Sequence, residues 1–450
     1  MRLRIKMNRI VFMLLTISSL SCFSQNGMDL INNIIKVPEV SIPTNSNNGI
    51  RIPISNNYNV NTPNSSHIQQ QNAYLIQQAE REFAQRQQYQ LYNKQLAVQR
   101  LLMDGFASFA TVDSLGTSYF YNAFAEIDSM LKGTKELNIA RSVFLVENAF
   151  YGNKLNYADY QNFIKRKADF CNRIIKESKQ NPNDNLAKNM AIFRLLTEKV
   201  PFKNVGKEKI EYHLPLQYDY EDYHSKEHFD SHFITKLMVS NVGQCYSMPL
   251  YYLILAEAMN TEAYWSLSPK HSHVKIQDKK GNWYNIELTC SSILSDAHYT
   301  NSSYIKAEAL RSKIYLDTLN KKQIVAHQLL HLARSYFRKY GLDDFYLKCV
   351  NSVPQYTPNN VDALKLQASY YESLIIYAAK SLNTPNLQSF GDLQPYANNI
   401  LDRLNVYYKK IDDLGYEETP DIIYEKWLEY VEKQKQISDK NRTILLNEIR

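Results

Sequence analysis

Glycine is scarce in this chain, with 12 residues among 450. Phosphate-binding loops depend on glycine, because only glycine lets the backbone approach the phosphate closely. The shortage therefore argues against a Gly-rich nucleotide-binding loop. It also favours helix, since glycine destabilises helix interiors.

Cysteine is equally sparse, with five residues in the whole chain. In an exported protein the four that follow residue 24 allow two disulfides of undetermined connectivity. They are too few and too far apart for a disulfide-built scaffold. If Cys245 is a working thiol, at most one bridge forms among Cys171, Cys290 and Cys349.

The N-terminal apolar run, Ile10–Leu20, is too short to span a bilayer. Four basic residues precede it, and the small residues of "SCFSQ" follow it. This pattern predicts a signal peptide over residues 1–24, hence export to the periplasm, the cell surface or the medium. A lipid anchor at Cys22 is the lesser alternative, because "SLSC" has its Leu one place out of the usual order. Contact with a membrane is expected only in that case.

A strong excess of one charge is also missing. The formal net charge is +7, but four of the 52 basic residues lie in the predicted signal peptide. The rest of the chain has 48 basic and 45 acidic residues, a net charge of +3. The balance gives no reason to infer a nucleic-acid partner.

The chain after the signal divides into four predicted segments. Residues 25–73 are rich in Asn, Ser and Pro without periodicity, which predicts a disordered linker. Residues 74–200 show helical spacing of apolar residues, beginning with a long Gln-rich amphipathic helix. Residues 201–300 contain stretches rich in aromatic and β-branched residues, typical of strands. Residues 301–450 again have a helical pattern.

A cysteine precedes the strongly apolar stretch "SMPLYYLILAEAM". Pro249 is tolerated only in the first turn of a helix, so the helix is predicted to begin near Cys245. The exposed amides and positive dipole end of a helix stabilise a thiolate there. Gly243 would let the backbone turn and approach closely.

Two predicted strands follow, joined by Lys279-Lys280-Gly281. A three-residue hairpin loop with glycine in the left-handed position sets a register that places His273 opposite Glu287. Side chains opposite each other share one face, so the two can form a hydrogen bond. Cys245, His273 and Glu287 would then provide a nucleophile, a proton carrier and a carboxylate that orients it. The backbone N–H of Cys245 is a candidate oxyanion donor, and the Gln244 side chain is a weaker one.

The stretches "VGQCYSMPLYYLILAEAMNTEAY", "HSHVKI" and "GNWYNIELT" resemble the transglutaminase-like superfamily over about residues 200–295. Gly243 and Cys245 match its helix-opening motif, His273 its strand-opening histidine, and Trp283 with Glu287 its last motif. The resemblance implies an α+β fold in which one Cys-bearing helix packs on a small antiparallel, papain-like sheet. It also implies catalysis without a metal or organic cofactor.

The sequence departs from that family at three points. Glu287 stands where Asp is usual, the pattern around the histidine is altered, and no residue upstream matches the second oxyanion donor. His271 lies on the same strand face as His273 and is the alternative proton carrier. His224, His228 and His232 have four-residue spacing that could form a metal-binding face, but a charged surface segment explains them better.

The C-terminal stretch "YTPNNVDALKLQASYYES" resembles the junction of tetratricopeptide repeats, with Pro358 ending one unit and Ala363 beginning the next helix. A plain helical bundle explains it nearly as well.

Two hypotheses of different classes follow. The first is an exported cysteine acyltransferase or amide hydrolase that acts on a peptide or protein through Cys245, His273 and Glu287. The second is an inactive module of the same fold that binds a protein or peptide and keeps Cys245 inert, bridged to Cys290. In a third, weaker hypothesis, a structural protein binds through its Asn/Gln-rich arm. The oligomeric state is left open.

Overall fold

The computed structural model describes residues 65–106, 116–203, 210–223, 225–302, 305–384 and 391–418, together with a few isolated residues between 426 and 437. The predicted signal peptide and residues 25–64 of the predicted linker lie outside this part. Contacts between residues divide the chain into two compact units. As far as they are described, the larger unit comprises Ser108–Tyr370 and Asn405–Arg450, and the smaller comprises Leu30–Ala107 and Tyr371–Leu404.

The smaller unit contains the long helix α1, Ser65–Asp104. The sequence predicted a helix from residue 74, and the structure places its start inside the segment predicted to be disordered. Val98 and Leu102 are buried near its end, whereas Tyr74 and Phe83 are exposed. In this unit Gln99 Nε2 donates to the Tyr396 hydroxyl at 2.9 Å.

Four helices open the larger unit: α2 (Ser118–Leu131), α3 (Ile139–Phe150), α4 (Tyr157–Glu177) and α5 (Asn185–Thr197). Their apolar residues recur at helical spacing and are buried. Two of them have asparagine caps. Asn138 accepts from the Arg141 N–H, and Asn156 accepts from the N–H of Ala158.

Two small sheets follow. Strand β1 (Val200–Lys203) pairs antiparallel with β2 (Ile210–His213). Strand β3 (Gln217–Tyr218) pairs in parallel with β4 (Val242–Gly243). Between β3 and β4 lie a 3₁₀ turn (Phe229–His232) and helix α6 (Ile234–Ser240).

Helix α7 (Ser247–Ala258) is buried all round. Such a helix must be covered on every side, and α7 contacts α3, α4, α5, α6 and strands of the next sheet. That sheet has four antiparallel strands in sequence order: β5 (Tyr264–Ser268), β6 (His271–Gln277), β7 (Trp283–Glu287) and β8 (Ser292–Leu294). The short helices α8 (Asp296–Ser302) and α9 (Ala307–Arg311) come next.

The predicted hairpin register between β6 and β7 is confirmed. Val274 pairs with Ile286 and Gln277 with Trp283. Gly281 has φ of +85°, the left-handed conformation that the turn requires. One face of the hairpin is therefore apolar and buried, and the other carries the polar side chains.

The last helices are α10 (Lys321–Tyr340), α11 (Asp344–Ser352), α12 (Val361–Ser381) and α13 (Gln394–Asp413). The turn predicted at Pro358 is confirmed, since Asn360 accepts from the Ala363 N–H just as α12 begins. Helix α10 packs against α2, α3 and α11, so the N-terminal and C-terminal helical segments share one unit. The repeat interpretation stays a prediction.

The larger unit is completed by residues just beyond α13. Lys306 pairs with Glu417 at 2.8 Å, and Gly415 lies against Glu308 and Ala309. The chain is mostly helical with small sheets, which confirms the α+β class. Within the described residues, no helix is both long enough and apolar enough to cross a bilayer.

Candidate active site

Cys245 lies two residues before α7 and two residues after the end of β4, and its side chain is partly exposed. The predicted helix start is therefore confirmed to within two residues, with Pro249 in the first turn. The Cys245 thiol lies near the start of β6, where its Sγ is 3.9 Å from the Lys270 carbonyl oxygen. The Ser272 hydroxyl donates to the Cys245 carbonyl at 2.6 Å and so fixes the cysteine against that strand.

Gly243 makes the close packing before the cysteine possible. A Cβ atom at this position would overlap the Leu237 side chain and lie 2.8 Å from Met248 Cγ. Any larger residue would therefore push β4 away from α6 and α7. The predicted need for close backbone approach at Gly243 is confirmed.

Gln244 holds the segment before the thiol to a loop instead of facing the thiol. Its Nε2 donates to the Asp222 carbonyl at 2.5 Å, and its Oε1 accepts from the Ser225 hydroxyl at 2.9 Å. The side chain is buried. Since its amide hydrogen is directed to Asp222, Gln244 acts as a clamp, and the weaker candidate for an oxyanion donor is not supported.

The structure pairs Glu287 with His271. Nε2 of His271 lies 2.6 Å from Oε2 of Glu287, and the Cys245 thiol is close enough to the His271 ring to raise its pKa. The His271 side chain is 26% exposed, whereas that of Glu287 is 5% exposed. Cys245, His271 and Glu287 thus form a chain of neighbouring groups that runs from a partly exposed thiol to a buried carboxylate.

The electrostatics of this chain favour a charged imidazole. Burial lowers the pKa of His271, but the Glu287 carboxylate and the nearby Cys245 thiol together raise it well above its usual range. Burial raises the pKa of Glu287, but the His271 charge and the bonds from neighbours bring it down to about 2. The carboxylate therefore stays ionised, and the imidazole next to the thiol is protonated near neutral pH.

The predicted partner, His273, is not part of this chain. It shares the polar face of β6, but it is fully buried and neither ring nitrogen has a hydrogen-bond partner among the described residues. Burial lowers its pKa to about 3. Position along the strand explains the difference. Cys245 lies beside the first residues of β6, and His273 is two residues, or about 6.6 Å, further along β6 than His271. The Glu287 side chain reaches diagonally across the hairpin to His271.

Two residues that sequence reasoning missed complete the surroundings of Glu287. Tyr299, on α8, donates to Oε2 at 2.8 Å and stacks on His273 with ring centroids 4.1 Å apart. Thr289 donates to Oε1 through both its backbone N–H and its hydroxyl, at 3.0 and 2.6 Å. The carboxylate is thus held by four donors, which fixes the orientation of His271.

Tyr218 is the third missed residue. It lies on β3 and pairs with Gly243, two residues before Cys245. Burial raises the pKa of Tyr218 well above its usual range, and the nearby charges of Cys245 and Glu287 add to this. The phenol therefore stays protonated beside the thiol. No sequence signal could have identified it, because β3 and β4 have only two residues each.

Another group of histidines lies on the far side of Tyr246. His232, His327 and His331 form a buried histidine cluster, with His331 stacked on Tyr246 at 3.9 Å between centroids. Burial lowers the pKa of His232 to about 3 and that of His327 to about 4. These rings are neutral packing groups.

The less favoured alternative, a metal-binding face of His224, His228 and His232, is not formed by the residues that can be placed. His228 is exposed, His232 belongs to the buried cluster, and His224 lies outside the described residues. Across the described part of the chain, no group of three or more potential ligands could hold a metal ion.

The four described cysteines are all free thiols. Cys171 and Cys349 are buried, and Cys290 is exposed. The bridge between Cys245 and Cys290 that the binding-module hypothesis predicted is therefore not formed.

With the geometry of the site defined, the chain was compared with known proteins. No protein-family model, no curated protein and no solved structure matches it. The residues of the site therefore provide the evidence for function.

Proposed function

We propose that this chain is an exported cysteine acyltransferase or amide hydrolase with a transglutaminase-like core and a peptide or protein substrate. Cys245 is the nucleophile, His271 carries the proton and Glu287 orients and charges the imidazole. The observation that carries the proposal is the His271–Glu287 hydrogen bond beside the partly exposed Cys245 thiol. It revises the sequence-based triad in one member, His271 in place of His273.

These residues can carry out a complete catalytic cycle. The Cys245 thiolate attacks the amide carbonyl carbon, a C–S bond forms, and the carbonyl oxygen becomes an oxyanion. The His271 imidazolium then gives its proton to the amine nitrogen, the C–N bond breaks and a thioester remains. Water or a second amine then attacks the thioester carbon and gives its proton to His271. The C–S bond breaks, the acyl product leaves as an acid or an amide, and the Cys245 thiolate is restored.

The oxyanion needs donors beside the thiol. The backbone N–H of Cys245 is one, as proposed from the sequence. Tyr218 is our candidate for the second, because its strand pairs with Gly243 and its phenol stays protonated near the Cys245 thiol. We expect Tyr218→Phe to reduce turnover roughly 100-fold, the usual effect of removing one oxyanion donor.

The decisive experiment is alkylation of Cys245 by iodoacetamide across pH 5 to 10, in the full chain carrying Cys290→Ser. The substitution removes the exposed competing thiol. The parent, His271→Ala and His273→Phe are compared. His273→Phe keeps a ring against Tyr299 and is the matched control, because it also removes one histidine from the same face of β6.

We expect the parent thiol to react fast at pH 6 and His271→Ala to slow it roughly 100-fold at that pH, in the range typical of lost acid–base partners. His273→Phe should change the rate little. Incubation with p-nitrophenyl acetate should also give an acetyl adduct on Cys245. A thiol that is slow at pH 6 in the parent, or equally slowed by both variants, would contradict the proposal and favour an inactive binding module.

A further inference from the structure

A second candidate site lies in the same unit, between α4 and β2. An open groove of about 790 Å³ separates them, and Asn241 forms part of its wall. Arg166, Lys167 and Arg173 line it from the helix, and Tyr212 and His213 from the strand. We call this surface the basic groove.

The cations of the basic groove lack carboxylate partners. Neither Arg166, Lys167 nor Arg173 forms an ion pair with any described residue, although Asp169 also lines the groove. Elsewhere in the unit arginines are paired: Arg141 binds Glu126 and Arg194 binds Glu198. Three cations face one acid, so the groove has an unbalanced positive charge.

Aromatic rings hold these cations in place. Arg173 lies over Phe170, with its Cζ 4.7 Å from the ring centroid, and Lys167 lies over Phe163 at 5.1 Å. Cation–π contacts restrict long side chains without neutralising their charge. The Arg guanidinium groups thus keep their forked donors for a ligand.

A buried polar group adds a further signal. His213 is 91% buried, and its Nε2 lies 2.8 Å from Lys167 Nζ. Its Nδ1 is close to the Leu214 backbone but makes no hydrogen bond of good geometry. Burial and the Lys167 charge lower the pKa of His213 to about 4, so its ring is neutral. The Lys167 ammonium contacts this neutral ring where a carboxylate partner would normally be found. A bound anion would therefore stabilise it.

We propose that the basic groove binds an extended acidic peptide, with carboxylates on Arg166 and Arg173 and an apolar side chain between the aromatic rings. The arginines are seven residues apart on one helix, a rise of about 10.5 Å. In the polyproline II conformation, which has three residues per turn, carboxylates three residues apart lie on the same side of the peptide and are separated by a similar distance, about 9 Å. The guanidinium fork matches the carboxylate in a bidentate manner.

The groove is also close to the thiol along the chain. Asn241 and Cys245 are four residues apart, so their Cα atoms are at most about 14 Å from each other. If Cys245 acts as proposed above, the groove is a recognition site for the acidic part of its substrate. The binding itself does not depend on that reaction.

The test measures binding in the full chain carrying Cys245→Ala, so that catalysis plays no part. The probe is a fluorescein-labelled octapeptide with Glu at positions three and six and Phe between them, and the readout is fluorescence anisotropy. Arg166→Gln/Arg173→Gln is compared with Lys165→Gln/Lys176→Gln. The control pair removes the same charge from exposed positions of the same helix, outside the groove lining.

We expect saturable binding that the arginine double variant weakens roughly 100-fold, about tenfold for each lost charged hydrogen-bond partner. The lysine double variant should stay within about twofold. Absence of saturable binding, or equal weakening by both double variants, would overturn the proposal. Tighter binding of a single-stranded oligothymidylate of equal charge would assign the groove to nucleic acid instead.

Discussion

His271 and the buried histidine cluster contain the same imidazole ring in opposite protonation states. His271 is partly exposed and has an anionic neighbour, so its pKa is raised. The buried histidine cluster contains His331, whose Nε2 has no described partner, and burial lowers its pKa well below the usual value. The carboxylate of Glu287, and not the histidine itself, distinguishes a reactive site from a packed core.

Removing that carboxylate should have the largest effect on stability. We expect Glu287→Gln to lower the free energy of unfolding by about 3 kcal/mol, the low end for a broken buried pair, because a quarter of His271 is exposed. Chemical denaturation at pH 6 measures this. A loss below about 0.5 kcal/mol would show that the pair contributes little.

The same variant has a pH signature. Because the folded-state pKa of His271 is raised, its stabilisation is complete below the unfolded value, about 6.5, and is lost as pH rises through the folded pKa. The parent should therefore lose more stability than Glu287→Gln between pH 7 and 9. Equal slopes in that range would contradict a charged His271.

Gly243 packs against α6 and α7 two residues before Cys245, so an added methyl should disturb the candidate site. We expect Gly243→Ala to lower the free energy of unfolding by about 2 kcal/mol through overpacking against Leu237 and Met248. Iodoacetamide alkylation at pH 6 should slow as well. Unchanged stability, checked against Gly133→Ala, would indicate that α6 moves freely. Gly133 tests an open position, although its own positive φ adds strain there.

Breaking the buried histidine cluster should have a smaller, opposite pH signature. These histidines are neutral when folded, so their stability contribution is present above about pH 6.5 and is lost as pH falls towards 4. His331→Phe keeps the stack on Tyr246 and removes one titrating group. The slope of stability against pH between 4.5 and 6 should fall by up to about 1.4 kcal/mol per unit. The nearby charges of Arg334 and His232 act in both proteins.

The smallest effect is expected at Cys290. It is exposed and lies three residues from Glu287 in the chain. Cys290→Ser should change the free energy of unfolding by less than about 0.5 kcal/mol and leave alkylation of Cys245 unchanged. A large change in either quantity would mean that the second thiol takes part in the site.

The features of the site that could be predicted from the sequence depend on local backbone conformation. Pro249 fixes the start of α7, and Gly281 fixes the hairpin register, because each acts through the backbone of its own turn. The choice between His271 and His273 was not predictable. It depends on where Cys245 meets β6, and that is set by the Ser272 bond and by helices far away in the sequence.

The basic groove and the position of Tyr218 were likewise not predictable from the sequence. The groove combines α4 with β2, and Tyr218 reaches the thiol through a two-residue parallel pair. Elements this short carry no periodicity, and the pairing of α4 with β2 is purely tertiary. The α+β class was predictable, because long helical patterns and a strand-rich middle segment are properties of composition and spacing.

The contact between Lys306 and Glu417 has a consequence for how the protein is made. It joins parts of the larger unit that are about 110 residues apart in the chain. Closing so long a loop costs little more free energy than closing a shorter one, but contacts of large sequence separation slow folding. The unit cannot be completed until residue 417 has left the ribosome. Its last tertiary contacts therefore form only after all the residues that line the candidate site have been synthesised.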